Sequence, residues 1–340
     1  MSTDLSDQAI LITGGAGYIG SHIVHTLHDL GARPVVIDTL ENGVREVVPD
    51  DVPFLQADIR ETDTLTTFMR EQQVSGVIHM AAYATVSESV ADPLAYYRNN
   101  VDGTASVLEA CEGSGVQHIV FSSTCAVYGS VGDKPVDEAT PIKPESPYGE
   151  SKAMAEKIIR EMSDRRGLRT AILRYFNVVG ADPAARAGLC DPKSVRLFPK
   201  ICEAVTGKID RFMINGTDYD TADGTAVRDY IHVSDLAEIH IQVLAYLLNG
   251  GESVTLNCGY GRGYSVREVV ETAKAVSGVD FPVQEAPRRS GDPSSIVADN
   301  SRLKTLIEWE PKHDDLAEML RHDLDWHKHY FSNEDKISGL

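Results

Sequence analysis

The chain has 340 residues, 42% of them hydrophobic, and a formal net charge of −19; that length suits one large or two smaller domains with a substantial core. So acidic a chain is a poor partner for nucleic acid or an anionic membrane, since both are bound through basic surfaces. No run reaches the roughly 18 apolar residues of a membrane span, and the acidic start has no basic segment leading into an apolar one, so a cytoplasmic protein is expected.

Apolar strand-like runs fall at Ala9–Thr13, Pro34–Asp38, Pro53–Ala57, Gly76–Ala81, His118–Ser123 and Thr170–Tyr175, with helix-like stretches between them. That alternation predicts an α/β fold, a parallel sheet with helices on both faces. In the first helix Ile19, Ile23, Leu27 and Leu30 share a face, and Gly31 ends the run. After Asn177 the pattern loosens into a loop, Gly180–Pro199, holding three prolines. Helices are expected again at Asp235–Leu248 and Val266–Val276, a strand at Ser253–Cys258, and a second loop, rich in Arg, Pro and Gly, at Ala286–Ser295. The division expected is a first domain over 1–180, a second lobe over 181–326 with some segments returning to the first, and a polar tail over 327–340. Five scattered cysteines, none at C-x-x-C spacing, suggest reduced thiols and neither a disulfide framework nor a zinc site; no metal is expected.

The first strand runs into Thr13-Gly14-Gly15-Ala16-Gly17-Tyr18-Ile19-Gly20, with glycines at 14, 17 and 20 where a helix opens. Strand, glycine turn and helix in that order suit a dinucleotide: a tight turn, close backbone approach to a pyrophosphate, and close packing of helix on strand. Asp38 ends the second strand, 24 residues after Gly14. A carboxylate there can accept from the adenosine ribose hydroxyls and repels a 2′-phosphate, so NAD is expected over NADP. Asp58, after the third strand, is a candidate for contact with the adenine, with Ile59 beside it; an Asp at a strand end also serves as a turn residue.

Tyr148 and Lys152 lie four apart at the start of a predicted helix, on one face, with Pro147 suited to its first turn. Of 13 tyrosines, Tyr148 alone has a lysine four residues on. A tyrosine is mostly protonated at neutral pH, and a nearby ammonium favours its phenolate, so the pair suits a general base acting on a sugar hydroxyl. Ser122-Ser123-Thr124 ends a strand of the sheet, where the crevice of a parallel sheet lies.

These segments, TGGAGYIGSH, Asp38, FSSTCAVYG, SPYGESK, RYFN and VRDYIHVSDL, together resemble the extended short-chain dehydrogenase/reductase family, and within it the nucleotide-sugar 4-epimerases, from about residue 9 to about 310. The resemblance implies a Rossmann-type doubly wound parallel sheet with a smaller C-terminal α/β substrate lobe. It implies Tyr148 as base, Lys152 as its tuning partner on the nicotinamide ribose, and Thr124 on the sugar 4-hydroxyl. Asn42, Met80, Ala81, Ala82, Asn99, Ser122 and Tyr175 would join Tyr18, Ile19 and the glycines around NAD. Asn177, Arg196, Leu197, Asn215, Arg228, Tyr230, Arg289, Asp292 and Ile296 would hold a UDP-sugar, the arginines on its diphosphate. The implied reaction is hydride transfer from C4 of a UDP-hexose to bound NAD, rotation of the 4-keto sugar, and hydride return to the opposite face, in a homodimer joined near residues 93–111 and 148–162.

Dehydratases of the family carry Asp-Glu after the Ser-Thr pair, and related decarboxylases keep the Glu; here Cys125-Ala126 follows, which leaves oxidation and re-reduction. Three positions depart from the family pattern: Ala84 where many relatives have Lys or Tyr, Arg196 for Asn or His, and Asn215 for an aromatic against uracil. Ile296 matches a position limiting the sugar C2 substituent, and its intermediate bulk leaves hexose, N-acetylhexosamine and pentose open. Two other classes stay open as well, a non-catalytic nucleotide-binding regulator and a net sugar oxidoreductase.

Overall fold

A computed structural model describes residues 5–132, 134–289 and 292–337. The chain runs β1 (Ala9–Thr13), α1 (Tyr18–Asp29), β2 (Arg33–Asp38), β3 (Phe54–Gln56), α2 (Thr62–Glu71), β4 (Val74–His79), α3 (Val86–Ala91) and α4 (Pro93–Tyr96). A π-helical turn over Tyr97–Asp102 leads into α5 (Gly103–Ser114), followed by β5 (His118–Thr124), α6 (Pro147–Arg166), β6 (Arg169–Tyr175) and β7 (Asn177–Val179). The second half holds α7 (Leu197–Val205), β8 (Phe212–Asn215), β9 (Val227–His232), α8 (Val233–Leu248), β10 (Val254–Cys258), β11 (Gly263–Ser265) and α9 (Val266–Ser277). It closes with β12 (Val283–Ala286), β13 (Ser295–Ile296), α10 (Ser301–Ile307) and α11 (Leu316–Ile337).

Seven parallel strands form the main sheet in the order β10-β6-β5-β4-β1-β2-β3. Its central strands are apolar along their whole length because helices cover both faces, and β1 is buried at all five residues. On one face α1 packs beside α8; on the other α2, α5 and α6 close a second core around Leu11, Val77 and Phe121. The strand order reverses between β1 and β4, and the crevice at their C-terminal ends is where such sheets bind ligands. β4 stops at His79, two residues short of the apolar run, because Ala81 N–H turns to the Thr13 hydroxyl, at 3.1 Å.

Beyond β7 the chain builds a smaller layer of short strands, β11-β9-β13 with β7 on β9, and a separate β12-β8 pair, while β10 returns between them to add an outer strand to the main sheet. α9 opens on a capping box, Ser265 with Glu268, which fixes where β11 ends and the helix starts.

Residues 327–337, expected as a polar tail, continue the helix α11. Trp326 carries the docking: its indole N–H donates to Leu189 O at 3.0 Å, its ring stacks on Tyr330, and Gly188 leaves it room, since a Cβ there would lie 2.4 Å from the indole. Leu316, Met319, Leu320 and Leu324 on the same helix are buried as well, so apolar contacts along its first half hold it in place together with Trp326. Residues 338–340 lie outside the described residues. No helix among the described residues is long and apolar enough to cross a membrane.

Candidate active site

β1 delivers the glycine turn to the crevice. Gly14 takes φ +68°, and a Cβ there would lie 2.8 Å from the Ala81 backbone, so the turn after β1 sits directly against the end of β4. At Gly20 a Cβ would stand 2.2 Å from Gly14 O: the helix rests on the turn itself. Gly17 differs. A Cβ there would meet only Gly14 O, at 3.3 Å, so no protein atom fills the space above it. α1 starts at Tyr18 with no side-chain cap and no acidic residue in its first turn, which leaves its amides and positive dipole end to an anion.

The Asp38 carboxylate accepts Ala16 N–H at 3.0 Å and Leu40 N–H at 2.9 Å, one bond per oxygen. Each oxygen keeps a further acceptor site for a hydroxyl. Burial raises its pKa, and those two amides oppose the rise. Asn42, exposed, follows on the loop beside it. Asp58 is occupied otherwise. Arg60 donates to it from its backbone N–H (2.8 Å) and guanidinium (Nε 2.9 Å), and Asp58 O accepts Glu61 N–H, so its carboxylate serves the turn. The Ile59 side chain is buried beneath Gly103. A carboxylate two residues from an arginine pairs locally because little chain entropy opposes it.

The cradle thus fits a dinucleotide on geometry: an unfilled space over Gly17, a bare helix N-terminus, and an acid with spare acceptor sites at the end of β2. Met80, Ala81 and Ala82 line the crevice from β4, and Asn99, on the π-helical turn, donates to Asn100 Oδ1 at 3.0 Å.

β5 and α6 bring the hydroxyl cluster and the tyrosine together. Ser146 caps α6 by accepting Gly149 N–H at 3.2 Å, and Pro147 occupies the first turn, so Tyr148 and Lys152 point into the cleft a turn apart. The Thr124 hydroxyl accepts Ala126 N–H at 3.1 Å and stands beside the Tyr148 phenol. Burial pushes that phenol up to about 12; the neighbouring Thr124 hydroxyl and the Arg196 charge pull the other way. Lys152 lies one turn further along α6. Its Nζ donates to Ser122 Oγ at 3.3 Å and lies 4.6 Å from the Phe121 ring centre, because β5 runs directly beneath this turn of α6. Burial draws the ammonium down to about 7, against the Glu156 carboxylate, which raises it.

Glu156, one turn further on, was not singled out from the sequence. It is fully buried and accepts from Ser123 Oγ (2.5 Å) and from Arg174 on β6 (Nε 2.9 Å, Nη2 2.7 Å), while Arg174 also reaches the Tyr128 hydroxyl (2.9 Å). This network locks α6 to β5 and β6. A carboxylate four residues after Lys152, on the same helical face, is the signal that could have found it. Tyr175 is buried at the end of β6, and its hydroxyl pairs with His240 Nε2.

From the second lobe, Arg196 stands at the N-cap position of α7, next to Leu197, with no side-chain capping bond, and its guanidinium lies 5.9 Å from the Tyr18 ring centre. Tyr18 Oη donates to Gly180 O at 2.5 Å, and Gly180 N–H donates to the buried Asp323 at 2.8 Å, which ties the glycine turn to the lobe. Ile296 pairs with Arg228 between β13 and β9 and is buried beside Tyr128 and Phe176; Tyr230 pairs with Asn177 of β7 and packs on Phe198. The Arg228 guanidinium is held by Asp292 and by Pro293 O (2.8 Å). Arg289 and Asn177 are exposed, and Asn215 is half-buried at the end of β8. Ala84 is exposed beside Tyr83, whose hydroxyl donates to Glu41 at 2.7 Å.

Residues 10–259 match the model of the NAD dependent epimerase/dehydratase family. A UDP-glucose 4-epimerase from Azospirillum brasilense is 48% identical over 319 residues, covering 94% of this chain and 92% of its own. The crystal structure of a UDP-glucose 4-epimerase from Stenotrophomonas maltophila with bound NAD and formylated UDP-arabinopyranose superposes with a TM-score of 0.92 at 36% identity, over 96% of this chain and 99% of that one. That of the UDP-Glc/GlcNAc 4-epimerase from Campylobacter jejuni gives 0.83 at 40% identity, over 95% and 99%. With three quarters of its length under one family model and near-complete coverage by its relatives, the chain belongs to the NAD dependent epimerase/dehydratase family.

Proposed function

We propose that the chain catalyses NAD-dependent C4 epimerisation of a UDP-hexose, interconverting UDP-galactose and UDP-glucose. The observation that carries this reading is the adjacent Thr124–Tyr148 pair at the same end of the sheet as the glycine turn, followed by Cys125-Ala126 with no carboxylate. Elimination or decarboxylation on this scaffold needs a further acid or base at that point; oxidation and re-reduction of a secondary alcohol needs one base.

Tyr148 takes the proton of the sugar 4-hydroxyl, and Thr124 shares that hydrogen bond and aims it. NAD, when bound, supplies the hydride acceptor and donor and a cationic ring near the phenol. A phenol near 12 needs positive charge around it to act at neutral pH, and Arg196 and Lys152 are the cations that this chain supplies. Lys152 and Ser122 would hold one ribose and Asp38 the other; Asn42, Met80, Ala81, Ala82, Asn99 and Tyr175 would line the remainder, with Ile59 packed behind them under Gly103 and Asp58 contributing through its turn. The 181–326 segment is the UDP-sugar lobe: Asn177, Arg196, Leu197, Asn215, Tyr230 and Arg289 shape it, Arg228 exchanges Asp292 for the diphosphate, and Ile296 bounds the sugar. Because C4 regains both the hydride it gave up and, from Tyr148, the proton, no external oxidant is consumed.

The same reading includes a homodimer. Val86, Val90, Leu94 and Met154, on the adjoining helices α3, α4 and α6, are all exposed, with Val90 at 65% and Leu94 at 61%; clustered apolar side chains of that size mark an association surface. Val90→Asp combined with Leu94→Asp is expected to give monomers by light scattering.

The function is tested by incubating the protein with UDP-galactose and no added cofactor, beside UDP-N-acetylglucosamine and UDP-arabinose. UDP-glucose should accumulate from the first; turnover of only another sugar would move the substrate assignment. Stoichiometric release of NADH, or no turnover of any of the three, would defeat the epimerase reading.

A further inference from the structure

Three histidines from sequence-distant segments meet outside the cleft: His232 at the end of β9, His313 in the loop before α11, and His322 on α11. One ring nitrogen from each lies within 4.8 Å of the other two. Their ring centres are 4.5, 5.2 and 5.9 Å apart. A zinc–nitrogen bond of about 2.0–2.1 Å puts an imidazole centre about 3.2 Å from the ion, so two rings at a tetrahedral angle stand about 5.2 Å apart. The observed spacings bracket that value.

The hydrogen bonds define which nitrogens are free to turn inward. Glu318 Oε1 lies 2.9 Å from His313 Nδ1, so that nitrogen donates and Nε2 keeps its lone pair. His322 Nε2 is 3.9 Å from the same carboxylate, and its Nδ1 is 3.0 Å from His232 Nε2. A carboxylate behind a histidine is the usual arrangement that fixes the ring of a metal ligand. His232 is the member that must change, since its Nδ1 accepts Ser234 N–H at 3.1 Å and Nε2 therefore carries the hydrogen. For His232 to bind an ion through Nε2, that hydrogen moves by exchange with solvent to Nδ1, at the expense of the bond from Ser234 N–H. His313 and His322 are half-buried, which leaves one side reachable from solvent for the ion and a water.

We propose that His232, His313 and His322 form a binding site for a divalent transition-metal ion of the zinc class, with Glu318 orienting His313. Three imidazoles suit zinc, cobalt, nickel or copper and not magnesium or calcium, which require oxygen ligands. The ion would join the start of α8 to α11 next to Gly180, where a Cβ would stand 2.5 Å from the His232 ring. Its role is structural, because none of these residues reaches the Thr124–Tyr148 pair.

The test uses the full-length, untagged protein stripped with chelator and titrated with Co2+, read by visible absorption and by thermal melting, then competed with Zn2+. One ion per chain with a tetrahedral Co2+ spectrum and a raised melting temperature is expected. His313→Gln and His322→Gln should each weaken binding at least about tenfold, with turnover of the stripped protein unchanged. His28→Gln, on the half-exposed His28 paired with Asp51, should bind as the wild type does. Failure of the wild type to bind Co2+, or binding by the His313 and His322 variants at wild-type affinity, would overturn the proposal.

Discussion

Alanine at Gly17 and at Gly20, one at a time, separates holding the glycine turn from holding its ligand. At Gly20 the added carbon falls 2.2 Å from Gly14 O and 2.9 Å from Gly15 Cα, both backbone. An ordinary contact requires about 1 Å more, and overpacking of that kind costs on the order of 3 kcal/mol. At Gly17 the backbone, φ −81° and ψ 175°, suits any residue, and the added carbon meets one oxygen at 3.3 Å. Glycine and alanine at such an N-cap differ by less than about 1 kcal/mol. The methyl instead occupies the space in which a pyrophosphate would approach the helix. Urea unfolding of NAD-free protein and NAD titration by calorimetry read the two effects apart. Gly17→Ala should keep the unfolding midpoint and weaken NAD at least about tenfold, or about 1.4 kcal/mol. Gly20→Ala should lower the midpoint clearly. The reasoning fails if Gly17→Ala binds NAD as the wild type does, or if it loses as much stability as Gly20→Ala.

Glu156→Gln leaves the Arg174 guanidinium, 2% exposed, without its counter-charge, and a broken buried pair costs about 3–5 kcal/mol; denaturant midpoints check this, and a loss under 1 kcal/mol would contradict it. Lys152 is drawn to about 7 in the fold against an unfolded value of 10.5, so between those values the unfolded chain binds a proton that the native one does not, and stability rises with pH. Lys152→Met should therefore exceed the NAD-free wild type in melting temperature at pH 7 and below, with the gap closing towards pH 10; a gap that stays constant would count against the buried charge. Tyr148→Phe should lose at least about a hundredfold in turnover, the scale of general-base catalysis, with NAD affinity kept; unchanged turnover would remove Tyr148 from its role.

The first half of the fold was legible because each buried parallel strand reads as a short apolar run and each connection carries its own punctuation. Gly31, for instance, takes φ +73° just past α1. The short strands β7, β9, β11 and β13 were not legible as a sheet, since elements of two to six residues are paired by distant partners and have little periodicity of their own. Composition alone misread α11, where Trp326 and the space left by Gly188 outweigh the polar residues around them. In the site, Asp38 meets the glycine turn at Ala16 N–H, and Thr124 stands beside Tyr148. What spacing could not supply was where Lys152 sends its charge, or that Arg60 would take Asp58. Both depend on which acceptor lies nearest in three dimensions. The same holds for His232, His313 and His322, which no linear motif joins.

The central claim is that a hydride leaves C4 of the sugar and returns to it within one site. The direct measurement uses UDP-galactose carrying deuterium at C4, in ordinary water with a pool of unlabelled NAD, and follows the label by NMR and mass spectrometry. Full retention of deuterium at C4 of the UDP-glucose formed, with none in the free NAD pool, is the predicted result; loss of the label to solvent or to the pool would contradict it.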